Sequence, residues 1–264
     1  MLHITNGDCA VAVLSQVVSG TFLPWQDVLH EGPVRAGLSL HELSAERARF
    51  IAAAFGLPLR EAEEKFGARD ALFRKAGQHD EIVLWFEHDL YDQLQLIQVL
   101  DGLGERPGPP VSMVCEAEYL GTMAPERAGE LFSLRSPVTR RHVAEATRAW
   151  AAFRSPDPRD LEKVKAAALP FLESALRRHL QELPWTTDGL SLLQRNVVNA
   201  QRAGRKSFAE IFSAVREEPA FLGDAVLEWH LRRLDEGRWL PRWLGGYEVK
   251  DEALRWDPGL GRVV

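Results

Sequence analysis

Residues 81–103 read EIVLWFEHDLYDQLQLIQVLDGL, and the fold turns on how this stretch is parsed. Ile82, Val83, Leu84, Trp85 and Phe86 form an unbroken apolar run of strand-forming residues, the pattern of a strand covered on both faces. Glu87, His88 and Asp89 then bring ionisable groups, with Asp92 and Gln93 one turn later. Beyond them Leu90, Leu94, Ile97 and Leu100 recur at helical spacing. The stretch reads as buried strand, acidic turn and helix. In an open α/β sheet, ligands bind at the carboxyl ends of strands. The densest polar chemistry of the chain therefore lies where a binding site is expected.

On the N-terminal side, residues 2–5 form a short strand. Asn6-Gly7-Asp8 follows, then a helix over about 9–18 that Asp8 is placed to cap. Residues 21–23 and 28–29 read as extended around Pro24, with a turn at Gly32-Pro33. Residues 40–55 form a helix closed by Gly56, and a second helical stretch over 59–76 is broken near Gly67 and ended by Gly77. On the C-terminal side, residues 111–115 make a fourth strand leading into Glu116 and Glu118. Alternating strands and helices imply a parallel sheet with covering helices.

Ser136-Pro137 has the cap-then-proline form of a helix start, with the helix running to about residue 153 and two more helical segments following. Helices over 190–203, 208–217 and 224–235, then short strands at 239–240, 247–249 and 254–256, give the last part a different character. The expected architecture is α/β. It has an N-terminal three-layer parallel-sheet domain (1–135), a helical connector (136–183) and a C-terminal winged-helix-like α+β module (184–264).

The 264 residues suffice for a substantial core, and no run of eighteen apolar residues predicts a membrane span. The N-terminus lacks the basic start and small-residue cleavage site of a secretory signal. Two distant cysteines, Cys9 and Cys115, argue against structural disulfides and a cysteine zinc site, and a cytoplasmic location is expected. The net charge of −6 lies in residues 1–183, because residues 184–264 carry as many basic as acidic side chains. Neither part has the basic footprint typical of nucleic-acid binding.

Three stretches, NGD at 6–8, WQDVLHEGPV at 25–34 and LWFEHDLYDQLQL at 84–96, together resemble the bacterial family catalogued as domain of unknown function 1835 over about the first 135 residues. LPWTTDGLS at 183–191 and FLGD at 221–224 are similar to the C-terminal domain that accompanies it. The resemblance implies the division of the chain and no activity.

A parallel sheet places several acidic turns along one edge: Asp8, then His30 and Glu31, then Glu87, His88, Asp89 and Asp92, then Glu116 and Glu118. Carboxylates with imidazole suit a divalent cation, Mg²⁺ or Mn²⁺ through oxygen or Zn²⁺ through histidine. The expected metal ligands are Asp8, Glu87 and Asp89, with His88, His30 and Glu31 as catalytic acid–base groups. Asn6, Gly7, Asp92 and Gln93 are expected to bind and orient the ligand. The spacing is not a recognised metal signature. Acids in the first turn of a helix also complement its dipole with no ligand at all.

No phosphate-binding glycine loop or GxSxG elbow is present, so a small phosphorylated or nucleotide-like ligand requires a metal or an arginine to enter. The expected activity is a metal-dependent phosphoester hydrolase or transferase. The alternative is a ligand-sensing regulator whose C-terminal module contacts DNA or a protein. Cys9 is expected to be a buried small hydrophobe, and Trp25 and Trp85 to be core. Arg232 and Arg233 are expected on a solvated helix face.

Overall fold

A computed structural model describes residues 1–104, 108–216, 222–235, 243–249 and 254–264. The chain begins with β1 (Leu2–Thr5), helix α1 (Asp8–Leu14), β2 (Thr21–Pro24) and the short β3 (Gly32–Pro33). Helices α2 (Leu40–Phe55) and α3 (Leu59–Arg74) follow, then β4 (Ile82–Glu87), α4 (Leu90–Leu103) and β5 (Val111–Glu116). Helix α2 starts in a capping box between Ser39 and Glu42 and stops at Gly56, whose φ of +70° is left-handed. Gly67 does not interrupt α3, contrary to the sequence expectation. One helical glycine costs only about 1 kcal/mol relative to alanine, less than the packing of a 16-residue helix supplies.

Strand β4 is the centre of the sheet. It runs parallel to β1 on one side, from Leu2 opposite Ile82 to Thr5 opposite Trp85. On the other side it runs parallel to β5, from Ile82 opposite Val111 to Glu87 opposite Glu116. Strand β2 lies outside β1. Every residue of β4 is buried, because alternate side chains enter different layers. Val83 and Trp85 pack with Ala10 and Leu14 of α1, whereas Ile82, Leu84 and Phe86 pack with Leu94 and Ile97 of α4.

Helix α5 (Pro125–Ser133) completes the α1 layer through Ala128 and Leu131. Ser136-Pro137 is not the start of a helix. It forms β6 (Ser136–Pro137), antiparallel to β5, and closes the strand order β2-β1-β4-β5-β6. Helix α6 (Arg140–Phe153) starts three residues later, where Thr139 and His142 form a capping box. A proline at the sheet edge donates nothing to a ladder, so an edge strand accepts it as readily as a first helical turn does.

Helices α6 and α7 (Leu172–Leu180) pack on the outer side of α4. That explains why α4 is apolar nearly all round, with even Gln95 and Gln98 buried. The segment 136–183 thus shares one apolar cluster with the sheet, through Ala149, Trp150, Leu172 and Leu176.

Helices α8 (Leu192–Arg202), α9 (Phe208–Val215) and α10 (Asp224–Asp235) pack around Leu193, Val197, Ile211, Val215 and Leu227. Val28 and Phe55, from the first part of the chain, pack against that cluster. Of the strands expected after α10, residues 239–240 lie outside the described residues. Strand β7 (Trp243–Gly245) pairs in parallel with β3, and β8 (Tyr247–Glu248) pairs antiparallel with β7. Strands β9 (Trp256–Asp257) and β10 (Arg262–Val263) form a hairpin. Gly246 passes so close to the carbonyl of Arg154 that a β-carbon there would overlap it, and its N–H donates to the Phe153 carbonyl at 3.0 Å. Among the described residues, no helix is long and apolar enough to cross a membrane.

Candidate metal centre at the sheet edge

Strand β1 connects outward to β2, and the chain then crosses back to β4 on the other side of β1. The order reverses between β1 and β4, so their carboxyl ends flank a topological switch point, where open α/β sheets bind ligands. Asn6 follows β1, and Glu87 ends β4.

At this point Glu87, Asp89 and Asp92 converge, each with a carboxylate oxygen within 4.8 Å of the others. The backbone explains the geometry. Glu87 is the last residue of β4. Asp89 is the N-cap of α4, its Oδ1 accepting the Asp92 N–H at 3.0 Å. Asp92 lies three residues into the same turn and accepts the Glu87 N–H at 2.7 Å. The side-chain amide of Asn6 donates to Glu87 at 3.1 Å and to Asp92 at 3.0 Å. The Leu120 N–H donates to Glu87 at 2.8 Å. Gln93 holds the end of β4 by donating to the Glu87 carbonyl at 2.6 Å.

All three carboxylates are at most 5 % exposed, and among the described residues no lysine or arginine pairs with them. Burial raises the Glu87 carboxyl above its ordinary value and Asp92 well above it. Burial, with Glu87 nearby, pushes Asp89 up to about 7. Three buried acids without a cation resolve their repulsion by holding protons or by sharing a metal. Three carboxylates favour a hard cation such as Mg²⁺ or Mn²⁺ over Zn²⁺.

The expected site is therefore corrected in its membership. Asp92 belongs to the acid cluster, whereas Asp8 is exposed and outside it. Nor does Asp8 cap α1: Gly7 occupies the N-cap position, with no side-chain cap bond. Glu31 does not join either. It is buried against His230 of α10, 2.6 Å away. Glu118, in the fourth acidic turn, is exposed and pairs with Arg127 at 3.0 Å.

His88 stands half-buried between Glu87 and Asp89, its ring 5.4 Å from Tyr119 and 6.0 Å from Phe171. His30 is buried edge-on against Tyr91. The Tyr91 hydroxyl donates to the Asn6 carbonyl at 3.3 Å, so NGD, WQDVLHEGPV and LWFEHDLYDQLQL meet around Tyr91. Burial raises the Tyr91 hydroxyl, and nearby Asp92 adds to the shift.

Cys9 is exposed rather than buried. Cys115 is the sheltered thiol, pushed up to about 12 by burial beside Gln93. Trp25 and Trp85 are core, at 1 % and 0 % exposure.

Two features escaped the sequence reading. Arg47 of α2 is fully buried and binds Asp27 together with the carbonyls of Val28 and Glu31. The Leu120 N–H reaches Glu87 from a connection with no motif of its own. A buried arginine on a helix otherwise rich in alanine was the available signal for the first. The second had none. Comparison with known family models, curated proteins and solved structures gives no match for this chain.

Proposed function

We propose that Glu87, Asp89 and Asp92 hold a divalent cation at the switch point, and that the cation recruits a small phosphorylated or nucleotide-like ligand for hydrolysis or group transfer. The observation that carries this reading is the convergence of three buried carboxylates, with no compensating cation among the described residues, at the position where α/β sheets bind ligands. Bound there, Mg²⁺ or Mn²⁺ would bridge phosphate oxygens and polarise the reacting centre. Asn6 orients two of the ligating carboxylates, and Gln93 fixes the strand end. His88, half-exposed beside the cluster, is the acid–base group of this proposal. The resemblance to the family of domain of unknown function 1835 belongs to the same reading, since its three stretches meet around Tyr91, beside the acid cluster.

A second reading has support from one observation. The carboxylates are nearly closed off from solvent, which suits a cation retained for ligand sensing better than rapid turnover. In that case α8–α10 and their strands act as a winged-helix-like module toward DNA or a protein. The deciding experiment is calorimetric titration of metal-free protein with Mn²⁺ and Mg²⁺, followed by a phosphoester panel. Binding lost in Asp92→Asn supports the metal site. Turnover that follows metal occupancy supports the enzyme, binding without turnover supports the sensor, and absence of metal binding refutes both metal readings.

A further inference from the structure

A cleft of about 440 Å³ lies between the 161–165 segment, α7 and the β9–β10 hairpin, and it shares no lining residue with the acidic sheet edge. Its volume is in the range of small-molecule sites, about 300–1,000 Å³. Leu161, Val164 and Leu180 give it an apolar wall, and Trp256, only 2 % exposed, backs it. Two exposed arginines also line it, Arg177 of α7 and Arg262 of β10. Neither guanidinium has a hydrogen-bond or ion-pair partner among the described residues. We propose that this cleft binds a small monocarboxylate with an apolar body, the carboxylate held by Arg177 and Arg262.

Arg177 is in position before any ligand arrives. Its guanidinium carbon lies 5.7 Å from the centre of the Trp256 ring, close enough for a cation–π contact. The Trp256 backbone is fixed in turn, its N–H donating to the Pro184 carbonyl at 2.9 Å and its strand pairing with Val263. Gly261, left-handed at φ +64°, leaves room for the guanidinium: a β-carbon there would stand 2.7 Å from Arg177 Nη2. A cation already held by a ring and a turn loses little freedom on binding, and its planar fork of donors matches a carboxylate.

The charges of the cleft select the ligand. Its acids, Glu162 and Glu173, are both engaged. Glu173 accepts from Lys165 at 3.1 Å and from the Ala166 N–H at 3.0 Å. Glu162 accepts the Val263 N–H at 2.6 Å. Three cations against these two carboxylates leave one positive charge in excess, and the two arginines carry the unused donors. A singly charged carboxylate neutralises that excess. A doubly charged phosphate would set its second charge against Glu162 and Glu173. The aliphatic wall then takes the apolar body of the ligand.

The test is calorimetric titration of the full chain with hexanoate, benzoate and inorganic phosphate, together with amide and indole NMR. EDTA is present throughout, so the result does not depend on metal at the acidic edge. Saturable binding of hexanoate or benzoate is expected, with shifts of the Trp256 and Gly261 signals and none at Asn6 or Gln93. Arg177→Gln and Arg262→Gln are each expected to weaken binding by about tenfold or more. Should Arg177→Gln fail to fold, Arg177→Lys replaces it, with weaker binding again expected because the fork is lost. Absence of saturable binding by both carboxylates overturns the proposal. So does tighter binding of phosphate than of either carboxylate, a shift confined to Asn6 and Gln93, or an affinity unchanged in the Arg177 variant.

Discussion

Arg47 and Asp27 form an ion pair at 2.9 Å with both side chains fully buried. The guanidinium also donates to the carbonyls of Val28, Glu31 and Pro33, at 2.8, 2.7 and 3.3 Å. A single side chain of α2 thus determines the path of the loop before β3. Breaking a buried pair leaves its partner charge uncompensated, which typically costs about 3–5 kcal/mol.

Arg47→Ala is therefore expected to lower unfolding free energy by about 3 kcal/mol or more in urea titrations. Arg47→Lys should recover less than half of that, because an ammonium cannot reproduce the planar fork of donors. A loss under about 1 kcal/mol in Arg47→Ala would show that water replaces the guanidinium.

Asp89→Asn separates charge crowding from helix capping. Asparagine caps a helix about as well as aspartate, so α4 keeps its N-terminus while the cluster loses one negative charge. A carboxyl whose folded pKa is raised destabilises the fold as pH climbs from its unfolded value towards the folded one, here about 7. With EDTA at pH 7, Asp89→Asn should be more stable than wild type by on the order of 2 kcal/mol, a gap that closes towards pH 4. With Mn²⁺ the order should reverse, since only the wild type gains binding energy. Melting curves at pH 4, 5.5 and 7, with EDTA and with Mn²⁺, check both statements.

The indole N–H of Trp25 donates to Gln98 at 2.7 Å inside the core between the sheet and α4. Gln98→Leu leaves that donor without an acceptor and should cost about 1–3 kcal/mol despite adding apolar volume. A neutral or stabilising result in denaturant unfolding would mean that the indole finds a substitute acceptor.

Gln26 has a φ of 51°, the left-handed region, and its N–H donates to the Asn6 carbonyl at 3.2 Å beside the switch point. Non-glycine residues hold that conformation at a cost of about 1–2 kcal/mol. Gln26→Val should destabilise by at least about 1 kcal/mol, because a β-branched side chain is worse placed there. Gln26→Gly should be neutral or slightly stabilising. Equal stability of the two variants in thermal melts would show that the loop rearranges.

The strand–turn–helix at 82–103 was legible because its apolar run and its helical period are local, and helix 40–55 because Gly56 marks its end. The acidic edge was legible as a region but not in its membership. Asp89 and Asp92 share a helix turn at i and i+3, which brings them together next to the strand end. Asp8 starts a helix in the opposite layer, on the outside of the cluster. The Glu31–His230 pair joins residues far apart in the chain and had no local signature. Ser136-Pro137 suits a helix start and a strand edge equally, and only the open edge of β5 decides between them.

The pairing of β3 with β7 also orders events in time. Residues 32–33 leave the ribosome well before their hydrogen-bonding partners at 244–245 are made. A nascent chain can assemble β1, β2, β4 and β5 while the loop holding His30 and Glu31 still waits for its neighbours. The acidic edge can therefore form before the region that binds α10 is complete, and a chain released before residue 243 would keep the sheet but lose the strand that secures this loop.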